Sequence, residues 1–184
     1  MILCGGAGRR MGGRDKPLQT WQGLPLIDHI LTQLPDTPLF ISANRNVDEY
    51  ASRGRVITDQ QSDLPAHVLA NLQSPLLGIY AGLCACPTQW LLVTPGDTPR
   101  LPAQWWQEMF AAIEAGAKHA VAHDTRQQQH LHLLLEVADA RSSLGAFLQQ
   151  NLRQVHLWLQ QIEPQAVYFD DEIRNLNTLE DLAD

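Results

Sequence analysis

The 184-residue sequence is short of cysteine, of positive charge and of long apolar runs, and each shortage removes a class of protein. Three cysteines make no disulfide framework, and Cys84-Ala-Cys86 lacks the C-x-x-C spacing of zinc and redox motifs. Cys4, Cys84 and Cys86 therefore read as reduced thiols that behave as small buried hydrophobes. No stretch approaches the roughly 18 unbroken apolar residues of a membrane span. The opening Met-Ile-Leu-Cys is far shorter than a signal-peptide core, and its positive charges follow it instead of preceding it. A cytoplasmic protein with no membrane partner is expected. Thirteen Lys+Arg against twenty Asp+Glu give a net charge of −7, which repels nucleic acid over most of the surface. Any anionic ligand must therefore meet a local basic site.

What remains is ordinary globular material: 45% hydrophobic and 18% charged residues, with no internal repeat and no linker, in a length that suits a single domain over residues 1–184. Short apolar strands alternate with helical segments. Ile2-Leu3-Cys4, Leu39-Phe40-Ile41, Arg55-Val56-Ile57 and Trp90-Leu91-Leu92-Val93 read as strands, and Leu24 to Leu34, Asn46 to Ser52, Leu76 to Cys84 and Ala103 to Ala115 as helices. Further on, strands are expected at Ala117 to Ala122, His130 to Val137 and Ala166 to Phe169. Helices are expected at Ser142 to Gln150 and Thr178 to Asp184, the last with Thr178 and Asp181 in capping-box spacing. Asp59 to Ser74 reads as a long polar loop. The alternation predicts α/β architecture: a three-layer α/β/α sandwich around a mostly parallel, Rossmann-like sheet.

In such a sheet ligands bind beyond the carboxyl ends of the strands, so the segment after the first strand is the first to weigh. It is Gly5-Gly6-Ala7-Gly8-Arg9-Arg10-Met11-Gly12-Gly13-Arg14-Asp15-Lys16. Glycines allow positive φ and close backbone approach, so that successive N–H groups converge on phosphate oxygens. Arg9, Arg10, Arg14 and Lys16 concentrate four positive charges against Asp15 in an otherwise acidic chain. Two better-known phosphate loops fail on spacing: a dinucleotide fingerprint needs Gly where Met11 stands, and a P-loop needs Lys where Arg14 stands.

The run from Leu3 through Lys16-Pro17-Leu18 resembles the signature of nucleotidyltransferases that activate a phosphorylated acceptor with an NTP, and Arg-Arg-Met-Gly-Gly-x-Asp-Lys is most similar to the molybdenum cofactor guanylyltransferases. Ser42-Ala43-Asn44-Arg45, Ile57-Thr58-Asp59, Ser74-Pro75-Leu76-Leu77-Gly78, Thr94-Pro95-Gly96-Asp97-Thr98-Pro99 and Asn175-Leu176-Asn177-Thr178 extend the likeness along nearly the whole chain. The resemblance implies transfer of GMP from GTP to the terminal phosphate of the molybdenum-molybdopterin cofactor, with Mg²⁺ as metal and acceptor molybdoenzymes or their chaperones as further partners. The N-terminal half would bind nucleotide and the C-terminal half the acceptor.

It also implies roles. Leu3, Cys4, Gly5 and Gly6 match backbone contacts to the nucleotide, Lys16 the lysine on its phosphates, and Asp97 the magnesium ligand; Arg9 and Arg10 join Lys16 in stabilising charge during transfer. Asp59 matches a nucleotide-contacting aspartate, and Asn175 and Asn177 match asparagines facing the acceptor and the reacting groups. Ser42 stands where relatives present an asparagine to the nucleotide, and His130 where a Gln-Pro pair is usual.

Plainer readings compete residue by residue. Asp97 could cap the helix after Pro102, Asp59 could simply form a turn, and Asn175 and Asn177 could satisfy local backbone. Trp105-Trp106 reads as a helix anchor before a pterin platform. His130-x-His132, with His119 and His123 nearby, reads as polar decoration of a half-exposed strand before a zinc site. The rival functions are a cytidylyltransferase for the same pterin, a sugar-phosphate nucleotidyltransferase and, from another class, a non-catalytic nucleotide carrier.

Overall fold

A computed structural model describes residues 1–5, 15–178 and 180–182. The seven-stranded main sheet contains β1 (Ile2–Leu3), β4 (Phe40–Ser42), β5 (Arg55–Ile57), β6 (Trp90–Pro95), β7 (His119–His123), β8 (Gln128–Glu136) and β9 (Gln165–Tyr168). A two-stranded ribbon is formed by β2 (Thr20–Trp21) and β3 (Leu24–Pro25). Across the main sheet the order is β5-β4-β1-β6-β8-β7-β9. Every neighbouring pair is parallel except those made by β8, which runs against both β6 and β7.

Alternation along the strands feeds two cores. Leu3, Phe40, Val121, Leu133 and Leu135 point to one face, where they meet α4 (Pro75–Ala85), α6 (Val137–Gln149) and α7 (Val155–Ile162). Their neighbours point to the other face: Ile2 and Ile41 meet α1 (Leu26–Leu31) and α2 (Val47–Ala51), and Ala120, Ala122 and Leu134 meet α5 (Trp105–Glu114). A period of two on strands covered by helices on both sides makes the expected three layers. Helix α4 is buried from Leu76 to Leu83, which suits its nearly uninterrupted apolar sequence.

The chain reverses its direction of travel across the sheet at β1. From β1 it steps to β4 and β5, then returns to β6 on the other side of β1, which creates a switch point between β1 and β6. Leu3 lies opposite both Ser42 and Pro95, so the carboxyl ends of β4, β1 and β6 stand side by side.

Several expectations need correction. Leu24 and Pro25 belong to the ribbon, and α1 starts only at Leu26, because Gln22 and Gly23 both take positive φ (47° and 87°) and turn the chain as a two-residue hairpin. The polar stretch after Asp59 is not an irregular loop: it holds a 3₁₀ turn (Asp59–Gln61) and α3 (Ala66–Asn71). The strand expected from His130 to Val137 is a central strand, not a half-exposed one, with His132 and Leu133 to Leu135 fully buried. Helix α6 begins at Val137 because the Glu136 carboxylate caps the Asp139 N–H at 2.7 Å. At the far end Thr178 and Asp181 make the reciprocal capping bonds, yet the described residues 178 and 180–182 form a turn without a helix.

Candidate active site

Three strand ends supply the site. Beyond β6, Gly96 donates its N–H to the Leu3 carbonyl at 2.9 Å, and beyond β1, Cys4 donates to the Ser42 carbonyl at 2.8 Å. These bonds lock the first residues past each strand into one row. The chain returns at Asp15 into a 3₁₀ turn (Lys16–Leu18), which aims Lys16 at the end of β6. There its Nζ donates to Asp97 Oδ2 at 2.6 Å and to Asn177 Oδ1 at 2.7 Å.

That approach depends on Gly96. A Cβ there would stand 2.8 Å from Pro17 Cγ and 3.0 Å from Cys4 Sγ, so only glycine lets the residue after Lys16 pack directly on the β6 end. The carboxyl-terminal segment closes the arrangement, with the Leu176 N–H on the Asp97 carbonyl at 3.0 Å. Asp97 thus does not cap the following helix, whose N-cap is Gln104.

A cavity of about 440 Å³ opens in front of these groups, lined by Leu3 to Gly5, Asp15 to Pro17, Arg45, Asp97, Gln127 to His132 and Asn175. A second depression of about 600 Å³ shares its Leu3 and Arg45 edge and runs over Ser42, Asn44, Asp59, Ser74, Pro75 and Gly78. In it the Asp59 carboxylate accepts from Asn44 Nδ2 at 2.8 Å while the Asp59 N–H donates to Asn44 Oδ1 at 2.9 Å. Burial raises the pKa of Asp59 above the usual carboxylate value, opposed by the Asn44 bond. Asp59 also starts its 3₁₀ turn, so the plain turn reading and a ligand-facing carboxylate coexist at one residue. The Ser42 hydroxyl faces α4 so closely that a Cβ on Gly78 would lie 2.2 Å from it.

The structure therefore brings together Leu3, Cys4, Gly5, Lys16, Asp97, Asn175 and Asn177, with Ser42 and Asp59 in the adjoining depression. Gly6, Arg9 and Arg10 lie outside the described residues. His130 is on the cavity wall, its pKa lowered by burial and by the nearby His156. His132 belongs to the same wall but is buried in it, with Nε2 3.2 Å from Thr98 Oγ1 and its pKa held down to about 3 by burial. Among the described residues no group of three or more His, Cys, Asp or Glu could hold a metal ion. Trp105 is a buried anchor edge-on to His132. Cys4 is buried; Cys84 and Cys86 are only partly so, and all three are free thiols.

Residue-level reading gave no role to four neighbours. Asp15, 7% exposed, accepts from Asn46 Nδ2 at 2.8 Å and lies 3.8 Å from Arg45 Nε, tying the returning loop to the β4–α2 corner. Asn44 holds Asp59, and Arg45 lines both depressions. The available signal was positional: Asn44-Arg45-Asn46 is a polar run directly beyond a strand in a parallel sheet.

A doubly wound sheet that gathers polar side chains at its switch point has the architecture in which α/β proteins bind ligands, beyond the carboxyl ends of the strands. The MobA-like NTP transferase domain matches residues 1–164, and the chain belongs to that family of nucleotidyltransferases. It is 36% identical to a molybdenum cofactor guanylyltransferase of Vibrio parahaemolyticus, over 100% of this chain and 92% of that protein. To the one of Cupriavidus pinatubonensis it is 39% identical, over 99% and 92%. Among solved structures, molybdopterin-guanine dinucleotide biosynthesis protein A from Archaeoglobus fulgidus superposes with a TM-score of 0.74 at 20% identity, covering 99% of this chain and 93% of that one. No helix among the described residues is long and apolar enough to cross a membrane.

Proposed function

We propose that this chain transfers GMP from GTP to the terminal phosphate of the molybdenum-molybdopterin cofactor. An acceptor phosphate oxygen forms a bond to the α-phosphorus while the bond from that phosphorus to the bridging oxygen of the β-phosphate breaks in line, and pyrophosphate leaves. Full-length identity to proteins named for this reaction supports the reading. The single observation that carries it in this chain is the Lys16 and Asp97 contact at the switch point, 2.6 Å apart at the mouth of a cavity.

The residues divide the work by position. Backbone at Leu3 to Gly5 faces the nucleotide phosphates, with Gly6, Arg9 and Arg10 continuing the loop in sequence. Lys16, already shared between two oxygen acceptors, can exchange one of them for a phosphate oxygen and so neutralise charge that grows on the transferring and leaving groups. Asn44, Asp59 and Ser42 offer polar atoms in the second depression, which suits a nucleotide base. Gln127 to His130 and Asn175 bound the acceptor side, with Asn177 beside them on Lys16, a reading that gives the nucleotide to the N-terminal half of the single 1–184 domain and the acceptor to the C-terminal half.

A divalent ion fits this donor set. Asp97 presents a hard oxygen that already attracts a cation, the Lys16 ammonium, and one or two carboxylates are what Mg²⁺ usually takes from a protein, its other ligands coming from phosphates and water. When bound, Mg²⁺ supplies charge neutralisation and polarisation of phosphate oxygens. Three free thiols accord with a reducing cytoplasm, and recipient molybdoenzymes or their chaperones would take the product.

Incubating the protein with molybdopterin, Mg²⁺ and each of GTP, CTP, ATP and UTP, then weighing the product, tests the reading. Guanylylated pterin plus one equivalent of pyrophosphate is expected. A cytidylylated product would move the protein to the sister reaction, and binding without pyrophosphate would make it a carrier.

A further inference from the structure

Two of the walls assigned to the acceptor come from distant parts of the chain: the turn between β7 and β8, and the segment after β9. One buried carboxylate joins them. Asp124, 3% exposed, follows β7. Its Oδ1 accepts the N–H groups of Arg126 and Gln127 at 2.9 and 2.8 Å, which shapes the turn. Its Oδ2 accepts Gln129 Nε2 at 2.8 Å and the Ile173 N–H at 3.1 Å, which reaches the carboxyl-terminal segment. Four donors thus occupy the four lone-pair positions of one carboxylate. Burial opposes its ionisation, but the three N–H groups and the Gln129 amide outweigh this and hold the carboxyl below its usual range.

The consequences reach the site. Gln127 and Gln129 line the main cavity, as does Asn175, two residues beyond Ile173. Further along the same segment Leu176 is bonded to Asp97 and Asn177 to Lys16. The segment is therefore held on either side of Asn175, by Ile173 on Asp124 before it and by Leu176 on Asp97 and Asn177 on Lys16 after it, with Asn175 facing the cavity. Asp124 itself does not line that cavity; it borders only a smaller polar recess of about 320 Å³ beside it.

We propose that Asp124 is a positioning residue for the acceptor, setting the spacing between the glutamine turn and the asparagine segment. It rests on the assignment of those two walls to the acceptor. Replacing Asp124 with Asn separates its two duties. With its oxygen toward Arg126 and Gln127 the amide keeps the turn, but its NH₂ then confronts two donors, Gln129 Nε2 and the Ile173 N–H, and the segment is released.

The test is steady-state transfer with molybdopterin as the varied substrate, GTP affinity measured separately, and hydrogen exchange on the same protein. For D124N the KM for molybdopterin is expected to rise about tenfold, the scale of one or two lost buried hydrogen bonds, with GTP affinity within about twofold. Exchange over 172–177 should quicken while 40–46 stays unchanged. A GTP affinity that falls in step with the acceptor's, or an acceptor KM that does not move, overturns the proposal. Should D124N not fold, Q129M breaks one of the four bonds. Faster exchange at 172–177, a segment residue 129 does not belong to, then supports the link, and exchange confined to 124–130 overturns it. If the wild-type protein transfers nothing to molybdopterin, the function reading fails and the acceptor role with it, while the exchange comparison still decides whether Asp124 couples the turn to the carboxyl-terminal segment.

Discussion

Asp97 and Lys16 are 81 positions apart and meet at 2.6 Å only because the intervening contact, Pro17 on Gly96, tolerates no Cβ. Three substitutions follow from that geometry. Asp97→Asn keeps the shape and removes the charge, and GMP transfer should fall by about 10²- to 10³-fold, the scale of one preorganised electrostatic contact. The thermal midpoint should hardly change, and near-normal Mg²⁺-dependent turnover in this variant would remove Asp97 from the metal. Lys16→Gln should depress kcat by a similar factor of about 10² while leaving the fold intact, read by single-turnover kinetics. Gly96→Ala touches neither charge, yet it pushes Pro17 and Lys16 outward; an activity loss of about tenfold or more with unchanged secondary structure is expected. A fully active Gly96→Ala enzyme would show that the close approach is dispensable.

At this scale much was visible before any fold was known. Lys16 and Asp97 sit in motifs that end strands, and a parallel sheet collects strand ends on one edge. What could not be seen was partnership. Asn44 with Asp59 and Asp15 with Asn46 are pairings across 15 and 31 residues, and one-dimensional spacing carries no information about them.

Among the elements, strands and helices that bury a plain periodic face were legible, and those defined by direction or turn geometry were not. Strand β8 carries the apolar run Leu133 to Leu135 that any buried strand would have; nothing in that run says that it lies antiparallel between β6 and β7. Helix α3 was hidden by polar neighbours, although Leu64, Val68 and Leu72 recur every four residues and all are buried in the main core. The ribbon was hidden by Pro25, which resembles a helix start, while the informative pair was Gln22-Gly23. The importance of α4 can be measured directly. Ile79, fully buried between helix and sheet, should cost about 2–5 kcal/mol when replaced by Ala, through lost transfer energy and the cavity left behind. Urea midpoints should report that loss while the KM for GTP stays put; a drop below about 1 kcal/mol would mean that the helix can collapse onto the space.

For the molecule as a whole, pH acts through buried titratable groups, His132 among them. His132 is held down to about 3 by burial, partly countered by the Asp124 charge, against an ordinary value of 6.5. Between those limits the unfolded chain binds the extra proton and the folded chain does not. The stability that His132 contributes is therefore whole above about 6.5 and drains away as pH falls toward 3, at up to about 1.4 kcal/mol per pH unit. In His132→Thr this drain is absent. The stability gap between wild type and variant should shift in the variant's favour from pH 7 to pH 5 in urea titrations, and an unchanged gap would contradict the burial account.

The bonds from Leu176 to Asp97 and from Lys16 to Asn177 also set a timetable. During synthesis the strands β1, β4, β5 and β6 can assemble long before residue 177 leaves the ribosome, so three strand ends stand in a row before the last asparagine arrives to meet the lysine between them.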